Sequence, residues 1–249
     1  PYLVVDKSAR KFFAELKKKK PGLTIKVSSN SFGSTDNIMA YSANYKWRSL
    51  YIEDLGLQIY EYKPLPADLL QVFPAYPKMK VMADLKPSGG GEKEKPFLCI
   101  HAKSFVMDER VAYIGTYNLD PRSANLNTEV GLLITDEQVA AQLKENILND
   151  MAPKNSWVIA KKEDPLSLEK VNAFFEKASS TIPLDIWPVR NTSSFELRPG
   201  KDPVPPGHPE FHSHYEDKGA FPGDDSLLSP KAAQTRMLKV INSLAAPIL

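Results

Sequence analysis

A histidine and a lysine two residues apart form the pair with the clearest chemical potential in this sequence. They lie in a run that predicts a strand, and because side chains alternate along a strand, His101 and Lys103 should project from one face. A neutral imidazole is a nucleophile, and an ammonium group is a compact charge that binds phosphate. The pair therefore predicts phosphoryl transfer. A purely structural pair in the core is disfavoured because lysine is rarely buried.

Three more polar residues follow this pair at close spacing. A second predicted strand, VAYIG, returns the chain towards His101 and brings Thr116 and Asn118 close to it. Their hydroxyl and amide groups could stabilise a phosphate without a metal ion. Asp108 is also a catalytic candidate, but alternation places it on the strand face opposite His101. A turn-forming role is therefore the preferred interpretation of Asp108.

The arrangement H-x-K-x4-D-x6-G-[ST]-x-N resembles the motif of the phospholipase D superfamily. The segments PYLVVDK, SSNSFGSTD and LDPRSANLNTEVGLLI are similar to the C-terminal half of bacterial C-type cardiolipin synthases. The resemblance implies that a phosphatidyl group moves from a phospholipid to His101, as a phosphohistidine, and then to a glycerol hydroxyl or to water. It also implies that Glu129 accepts the second imidazole N–H and holds the tautomer, a part that carboxylates play for histidines generally.

The loop NSFGSTD supplies two candidates for substrate binding, Ser34 and Thr35. It follows a predicted strand, and ligands of open α/β sheets bind beyond the carboxyl ends of strands. Capping of the predicted helix from about residue 37 to 55 is the alternative role. In the related synthases this segment lines the active site and a histidine follows it, whereas this chain has Tyr41 at that position.

Two further candidates follow the motif. Ser123 can bind phosphate, and helix or turn capping explains it equally well. Arg122 can contact a lipid headgroup or pair with a local carboxylate. Both alternatives stay open from the sequence.

The elements that must hold these residues alternate between strands and helices. This alternation predicts an α/β fold with a mixed, mostly parallel sheet and helices on both faces, the phospholipase D-like α/β/α sandwich that the resemblance also implies. Asp136 is the predicted N-cap of a helix at about residues 137–148. Between residues 67 and 95 the pattern breaks down, and the Gly-rich end of this segment suggests a surface insertion or a lid. The predicted strands lie at residues 2–5, 23–29, 57–62 and 128–135 and in the two strands of the motif.

The chain divides by character near residue 150. Residues 1–150 are predicted to form a phospholipase D-like catalytic half-domain that carries one HKD motif. Residues 151–249 are predicted to form an extension that packs on the core without being an independent domain. Its Pro-rich part, residues 179–230, predicts an irregular wrap between helices at about 166–177 and 229–245.

Composition limits the function classes. A chain of 249 residues with 42% hydrophobic content can bury one substantial core, and its single cysteine excludes an internal disulfide. A net charge of +2 argues mildly against nucleic acid as a partner. His208, His212 and His214 have spacings seen in zinc sites, but no cysteine is nearby and loop histidines are usually unliganded. No metal and no cofactor are therefore expected.

The superfamily mechanism uses two motifs, and this sequence contains one. We expect the second half to be an N-terminal part missing from this chain, or a homodimer partner, and we expect little transferase activity from the isolated chain. The resemblance implies phospholipid substrates and a peripheral position on the bacterial inner membrane, on a side that it does not specify. The sequence contains no run of about eighteen apolar residues that would span a membrane. The alternatives are a dimeric phospholipase D-like phosphodiesterase or nuclease, and a non-catalytic scaffold or membrane-docking half.

Overall fold

The computed structural model describes residues 2–85, 96–163 and 191–223. In these residues the strands form two sheets, one with the order β1-β2-β6-β7-β8 and one with the order β3-β4-β5. The strand predicted at residues 57–62 is confirmed, and the one predicted at 23–29 begins two residues later. The strands are β1 (Ile25–Asn30), β2 (Leu57–Tyr62), β3 (Lys103–Met107), β4 (Val111–Gly115), β5 (Gly131–Ile134), β6 (Ser156–Lys161), β7 (Thr192–Leu197) and β8 (Tyr215–Asp217).

The larger sheet is mixed, as predicted, but the prediction that it is mostly parallel is wrong for the described strands. Only β1 and β2 pair in parallel, whereas β6, β7 and β8 all add antiparallel neighbours. The predicted parallel strand at residues 2–5 makes one isolated bridge, between Leu3 and Leu119. Strands β7 and β8 also correct the prediction of an irregular wrap, because residues 192–197 and 215–217 extend the sheet.

Helices cover the sheets at several places, and the sequence predicted two of them, at about residues 37–55 and 137–148. Helix α6 begins after Asp136, whose carboxylate accepts a hydrogen bond from Val139 N at 2.9 Å, so the predicted cap is confirmed. Helices α3 and α4 lie where no pattern was recognised. The helices are α1 (Lys7–Lys19), α2 (Ile38–Ser49) with a π-helical turn (Leu50–Asp54), α3 (Leu69–Val72), α4 (Tyr76–Leu85), α5 (Pro121–Asn125), α6 (Glu137–Asp150) and α7 (Phe211–His214).

The main core lies between the N-terminal segment, the π-helical turn and the larger sheet. Leu3, Val5, Tyr51, Ile59 and Ile159 are among its fully buried members. The Tyr51 hydroxyl accepts a hydrogen bond from Val5 N at 3.0 Å and so ties the N-terminal segment to the core. This packing sets the position of β1 and β2, whose carboxyl ends approach the motif.

A buried ion pair lies beside this core. Arg48 of α2 contacts Glu61 of β2, and both side chains are almost completely buried. Burial raises the pKa of Glu61, while the Arg48 charge opposes that shift. Arg48 also donates to the Tyr41 hydroxyl at 2.6 Å. Tyr41 is therefore a member of this buried network, in which its hydroxyl accepts a hydrogen bond from Arg48.

Some predictions fall outside the described residues: the Gly-rich loop at 86–95 and the helices predicted at 166–177 and 229–245. In residues 2–85, 96–163 and 191–223, no helix combines the length and apolar character needed to cross a bilayer.

Candidate active site

An open cleft of about 720 Å³ lies at the end of the smaller sheet, and it collects most of the predicted motif. The volume is within the range of small-molecule sites in proteins. The hairpin β3–β4 explains why these residues meet, because Lys103 pairs with Gly115 across the two strands. The cleft is lined by His101, Lys103, Gly115, Thr116, Asn118, Leu126, Asn127, Thr128, Glu129 and Val130.

His101 and Lys103 are in direct contact. The Lys103 ammonium lies 2.9 Å from Nδ1 and 3.1 Å from Nε2 of His101, and it donates to the His101 carbonyl at 2.8 Å. Because it is nearly equidistant from both nitrogens, the ammonium lies against the ring as a whole. The predicted juxtaposition is thus present, but its predicted cause is wrong: β3 begins at Lys103, and His101 precedes the strand.

A side chain takes the place of a neighbouring strand at this point. Asn30, at the carboxyl end of β1, donates to the Ile100 carbonyl at 2.9 Å and accepts from Ile100 N at 2.9 Å. It also donates to the Cys99 sulfur at 3.2 Å. Buried backbone groups need such partners, and a side-chain amide offers the same donor and acceptor as a peptide. Asn30 therefore holds the peptide that immediately precedes His101.

The sequence analysis did not recognise Asn30 or its neighbour Asp36 as site residues. Burial lowers the pKa of Lys103, and the charge of Asp36 is the largest influence that opposes this shift. Asp36 also accepts a hydrogen bond from Tyr2 at 3.0 Å. Asn30 and Asp36 could have been suspected from the sequence, because they lie at and shortly after the carboxyl end of a strand, where ligands of α/β sheets bind.

Thr116 and Glu129 form a contact across the cleft. The Thr116 hydroxyl donates to the Glu129 carboxylate and accepts from Val130 N at 3.0 Å. Asn127 donates to the other carboxylate oxygen at 3.0 Å. Hydrogen bonds from Thr116 and Asn127 lower the pKa of Glu129, so the carboxylate is ionised at neutral pH. A hydrogen bond from Ser123 also lowers this pKa, and none of the three partners is the His101 imidazole, so the predicted bond from His101 to Glu129 is not formed in this arrangement.

Asn118 and Ser123 lie side by side at the start of α5. The Ser123 hydroxyl accepts from Asn118 N at 3.1 Å, and Ser123 N donates to the capping carboxylate of Asp120 at 2.7 Å. Ser123 is buried, so the structure favours capping for it over phosphate binding. By contrast, the Asn118 side-chain oxygen is buried without a hydrogen-bond partner, although Asn118 lines the cleft.

Asp108 lies away from the other motif residues. Asp108 and Glu109 have φ angles of 51° and 57°, as a type I′ turn requires, and Arg110 N donates to the Met107 carbonyl at 3.1 Å. At about 3.3 Å per residue, the five-residue separation puts about 16 Å of strand between Asp108 and Lys103. This distance and the turn favour the turn-forming role that the sequence analysis preferred for Asp108, and its catalytic role stays a prediction.

Ser34 and Thr35 are buried outside the cleft lining. The Ser34 hydroxyl donates to the Tyr62 carbonyl at 2.8 Å and accepts from Ser31 N at 2.9 Å. The Thr35 hydroxyl donates to the Asn37 carbonyl at 3.0 Å. Both hydroxyl protons are thus donated to backbone carbonyls in this structure, and substrate binding by Ser34 and Thr35 stays a prediction. Neither caps α2, because Asn37 does so by accepting from Ala40 N at 3.0 Å.

Arg122 is exposed and donates to the Asn127 side chain at 3.3 Å. Its partner is therefore an amide, which neither sequence alternative anticipated. Since Asn127 in turn donates to Glu129, Arg122 lies at the outer end of a chain of polar contacts that reaches the cleft.

The three C-terminal histidines lie in separate surroundings. His214 contacts the Asp202 carbonyl at 2.7 Å, His208 accepts from Glu210 N at 3.2 Å, and His212 packs edge-on against Phe195. Across the described ranges, no group of three or more His, Cys, Asp or Glu side chains could hold a metal ion.

Comparison with known families identifies one that covers most of the described N-terminal region. The family described as "Cardiolipin synthase, PLD-like domain" matches residues 1–151, which is more than half of the 249-residue chain. The match includes the larger sheet's first two strands and the whole cleft. No solved structure matches the chain.

Individual relatives carry the same name. "Cardiolipin synthase C" of Escherichia coli (strain K12) is 26% identical over 169 residues, which are 63% of this chain and 32% of that protein. "Cardiolipin synthase 2" of Staphylococcus epidermidis is 48% identical over 56 residues, 22% of this chain and 12% of that protein. "Cardiolipin synthase" of Staphylococcus aureus is 43% identical over 53 residues, 21% and 11% respectively. The matched region thus spans about a third of the E. coli relative and less of the others.

Proposed function

Because this chain belongs to the family of PLD-like domains of cardiolipin synthases, we propose that it is one half of a phosphatidyltransferase that works through a phosphohistidine. The observation that carries the proposal is the contact between the Lys103 ammonium and the His101 ring, 2.9 Å from Nδ1, at the wall of an open cleft. A nucleophile and a phosphate-binding cation share one small volume there.

The proposed reaction has two displacements at phosphorus. In the first, a ring nitrogen of His101 forms a bond to phosphorus and the bond to the donor's headgroup oxygen breaks. In the second, a glycerol hydroxyl or water attacks, the phosphorus–nitrogen bond breaks, and the electron pair returns to His101. Division into two steps replaces one difficult displacement with two easier ones.

Lys103 and Asn118 are proposed to bind the phosphate oxygens. Lys103 supplies a full charge, and the Asn118 side chain supplies neutral donors from a residue whose amide oxygen has no partner of its own. Thr116 lines the same cleft, but its hydroxyl donates its hydrogen bond to Glu129. We therefore assign Thr116 to the wall of the phosphate site.

Glu129 is proposed to act through its charge. Attack by the imidazole leaves the ring positively charged until it loses its other proton. An ionised carboxylate in the same cleft stabilises that state at a distance that needs no direct hydrogen bond. We propose this electrostatic role for Glu129 in place of the predicted one, in which Glu129 holds the His101 tautomer by a hydrogen bond.

The leaving oxygen needs a proton, and the acceptor hydroxyl must lose one. We propose that the group responsible belongs to a second HKD half, either elsewhere in the same protein or in a homodimer partner. In this proposal, residues 1–150 are the catalytic half-domain and residues 151–249 are an extension on it. Pairing of β6 with β2 supports the extension, because it joins the two segments in one sheet.

We further propose that the protein works at the surface of the bacterial inner membrane with phospholipids as substrates. The exposed lysines at the end of α1 support this location, because Lys18 and Lys19 leave positive charge at the surface.

The test is chemical trapping of the intermediate. The chain, alone and within the complete protein, is incubated with phosphorus-labelled phosphatidylglycerol or with labelled DNA, then denatured and assayed for acid-labile label on protein. We expect label from the lipid that is lost in His101→Ala and retained in His208→Ala, a control that removes a half-buried histidine outside the cleft lining.

Each other outcome contradicts the proposal in a different way. Label or cleavage with DNA alone indicates a nuclease, and no label with either substrate indicates a non-catalytic half. Full turnover by a chain shown to be monomeric contradicts the need for a second half.

A further inference from the structure

One face of the smaller sheet carries Lys103 at one end and apolar side chains along the rest. We call it the Lys103 face. Its membership follows from strand alternation and from the register, which aligns Phe105 with Tyr113 and Leu133. The Phe105 and Tyr113 rings stack with centroids 4.9 Å apart, as side chains on one face must to be in contact. The face comprises Lys103, Phe105 and Met107 of β3, Val111 and Tyr113 of β4, and Leu133 of β5.

The apolar part of this face is open to solvent. Phe105 is 47% exposed, Met107 is 51% exposed and Leu133 is 65% exposed. The other face of the same sheet is packed in part, because Ala112 is fully buried there and helix α6 contacts β3 and β4, whereas Ile114 and Leu132 on that face are 47% and 66% exposed. Contiguous exposed apolar side chains mark binding surfaces more often than single ones do.

Tyr113 joins the apolar side chains to the cleft. Its ring lies over Gly115 and Gly131, where a Cβ on either glycine would overlap it. Its hydroxyl is the part of the ring nearest to the space beside Gly115, which lines the cleft. From the cleft outwards the face therefore presents a cation, then a phenol hydroxyl, then apolar surface.

We propose that the Lys103 face seats the acyl chains of the phospholipid whose phosphate binds at Lys103. This inference rests on the proposed function and deepens it. A phospholipid presents an anion, then ester oxygens, then hydrocarbon. These match, in the same order, the cation, the phenol hydroxyl and the apolar surface of the face. At about 3.3 Å per residue, the face extends about 13 Å from Lys103 to Met107, a length along which hydrocarbon can lie.

Charge distinguishes a lipid from a protein as the occupant. Among the side chains of the Lys103 face, Lys103 is the charged one. An apolar protein surface that covered the face would bury this ammonium with the His101 ring and carbonyl as its direct partners and no anion in contact, which is unfavourable. A phospholipid brings its own anion to the same place.

The test compares two ligands that share a headgroup: dihexanoyl phosphatidylglycerol below its micelle concentration, and glycerophosphoglycerol, which has no acyl chains. Binding to this chain is followed by NMR. Burial of several methylene groups should make the acylated ligand about 10- to 100-fold tighter. Lys103→Ala should weaken binding of both ligands.

Adjacent leucines provide a matched pair of variants. Leu133 lies on the Lys103 face, whereas Leu132 is 66% exposed on the opposite face. Leu133→Ser should weaken binding of the acylated ligand about 10-fold and leave the headgroup ligand unaffected. Leu132→Ser, the same change at equal exposure, should alter neither. Equal thermal unfolding of both variants would show that stability does not cause the difference.

Three results would overturn the inference. Equal affinity for both ligands, or equal effects of Leu133→Ser and Leu132→Ser, would contradict acyl-chain binding at the Lys103 face and would leave the proposed phosphate site unaffected. Binding of neither ligand contradicts the phosphate site itself. If Leu133→Ser instead separates subunits of the complete protein in sedimentation, a polypeptide covers the face.

Discussion

Glu61 of the larger sheet and Glu129 beside the smaller sheet both accept hydrogen bonds from named side chains, but their surroundings are opposite. Glu61 is fully buried against Arg48 and the Tyr41 hydroxyl. Glu129 lies in an open cleft with Thr116 and Asn127. The first carboxylate belongs to a closed network that holds the fold, and the second remains accessible to a ligand.

The contrast is weaker for neutral polar groups, because the Ser28 hydroxyl of β1 is buried without a partner, as the Asn118 oxygen is. Around β1 and β2, the buried Ser34 hydroxyl has protein partners for both its donor and its acceptor. Around the cleft, Asn118 keeps an unpaired oxygen, and Leu133 remains exposed. Asn118 differs from Ser28 because it lines an open cleft, and exposed apolar side chains lie beside that cleft, so a ligand is expected there.

The largest effect should come from breaking the buried pair. Glu61→Ala leaves the Arg48 charge buried without its carboxylate, which should lower the free energy of unfolding by about 3–5 kcal/mol. Urea denaturation measures this value. Glu129→Ala is the control from the open region, and it should leave the urea midpoint unchanged. Equal losses in both variants would erase the distinction between the regions.

The Asn30 clamp connects the two regions and should show the next largest effect. Asn30→Asp keeps the shape of the side chain but removes the donor to the Ile100 carbonyl, at a cost of about 1–3 kcal/mol. Urea denaturation should show this loss and trapping of label on His101 should fall, whereas the Ile100 amide should stay protected because aspartate still accepts its hydrogen bond.

Asn37→Asp is the matched control for this clamp. Asparagine and aspartate are equally good N-caps, so the same substitution at the start of α2 should change neither quantity. An unchanged urea midpoint together with unchanged trapping in Asn30→Asp would show that β1 does not hold the His101 segment.

A smaller effect should appear as a dependence on pH. Burial and the charge of Asp68 raise the pKa of Asp150 to about 6. The folded protein then binds more protons than the unfolded chain between about pH 4 and pH 6, so its stability falls as the pH rises through that window. Asp150→Asn should remove this fall and gain about 1 kcal/mol over the native protein at pH 7, after allowance for the partial exposure of Asp150. Urea midpoints at pH 4 and pH 7 that shift equally in both proteins would contradict this expectation.

The smallest effect is expected at the surface of the open region. Arg110 lies 3.7 Å from Glu137, and its side chain is 76% exposed. Arg110→Gln should change the free energy of unfolding by less than about 0.5 kcal/mol, because exposed ion pairs are screened by water. A loss comparable to that of Glu61→Ala would show that the smaller sheet also depends on its charges.

The local features of the site could be predicted from sequence. Strand spacing and a short hairpin bring Lys103, Thr116 and Asn118 to one end of a sheet, and these contacts span few residues. Contacts over longer separations could not be predicted in this way. Asn30 lies seventy positions from Ile100, and no periodicity in either segment indicates that they meet.

The C-terminal strands illustrate the same limit. Residues 192–197 are rich in serine and threonine, and their composition alone suggested irregular structure. They form β7 because β6 offers an unpaired edge, with Val158 opposite Phe195. A strand of this kind depends on its neighbour more than on its own propensity.

The sequence by itself determined the family, the motif residues and the chemistry predicted for them, because residue types and short spacings can be recognised without knowing the fold. Only the tertiary structure decided which hydroxyls are free, which carboxylate is closed off and what holds His101 in place. Those properties depend on burial and hydrogen-bond partners, and partners come from segments far apart in the chain. The motif therefore indicates phosphoryl transfer, and the packing around it decides which of its polar neighbours can take part.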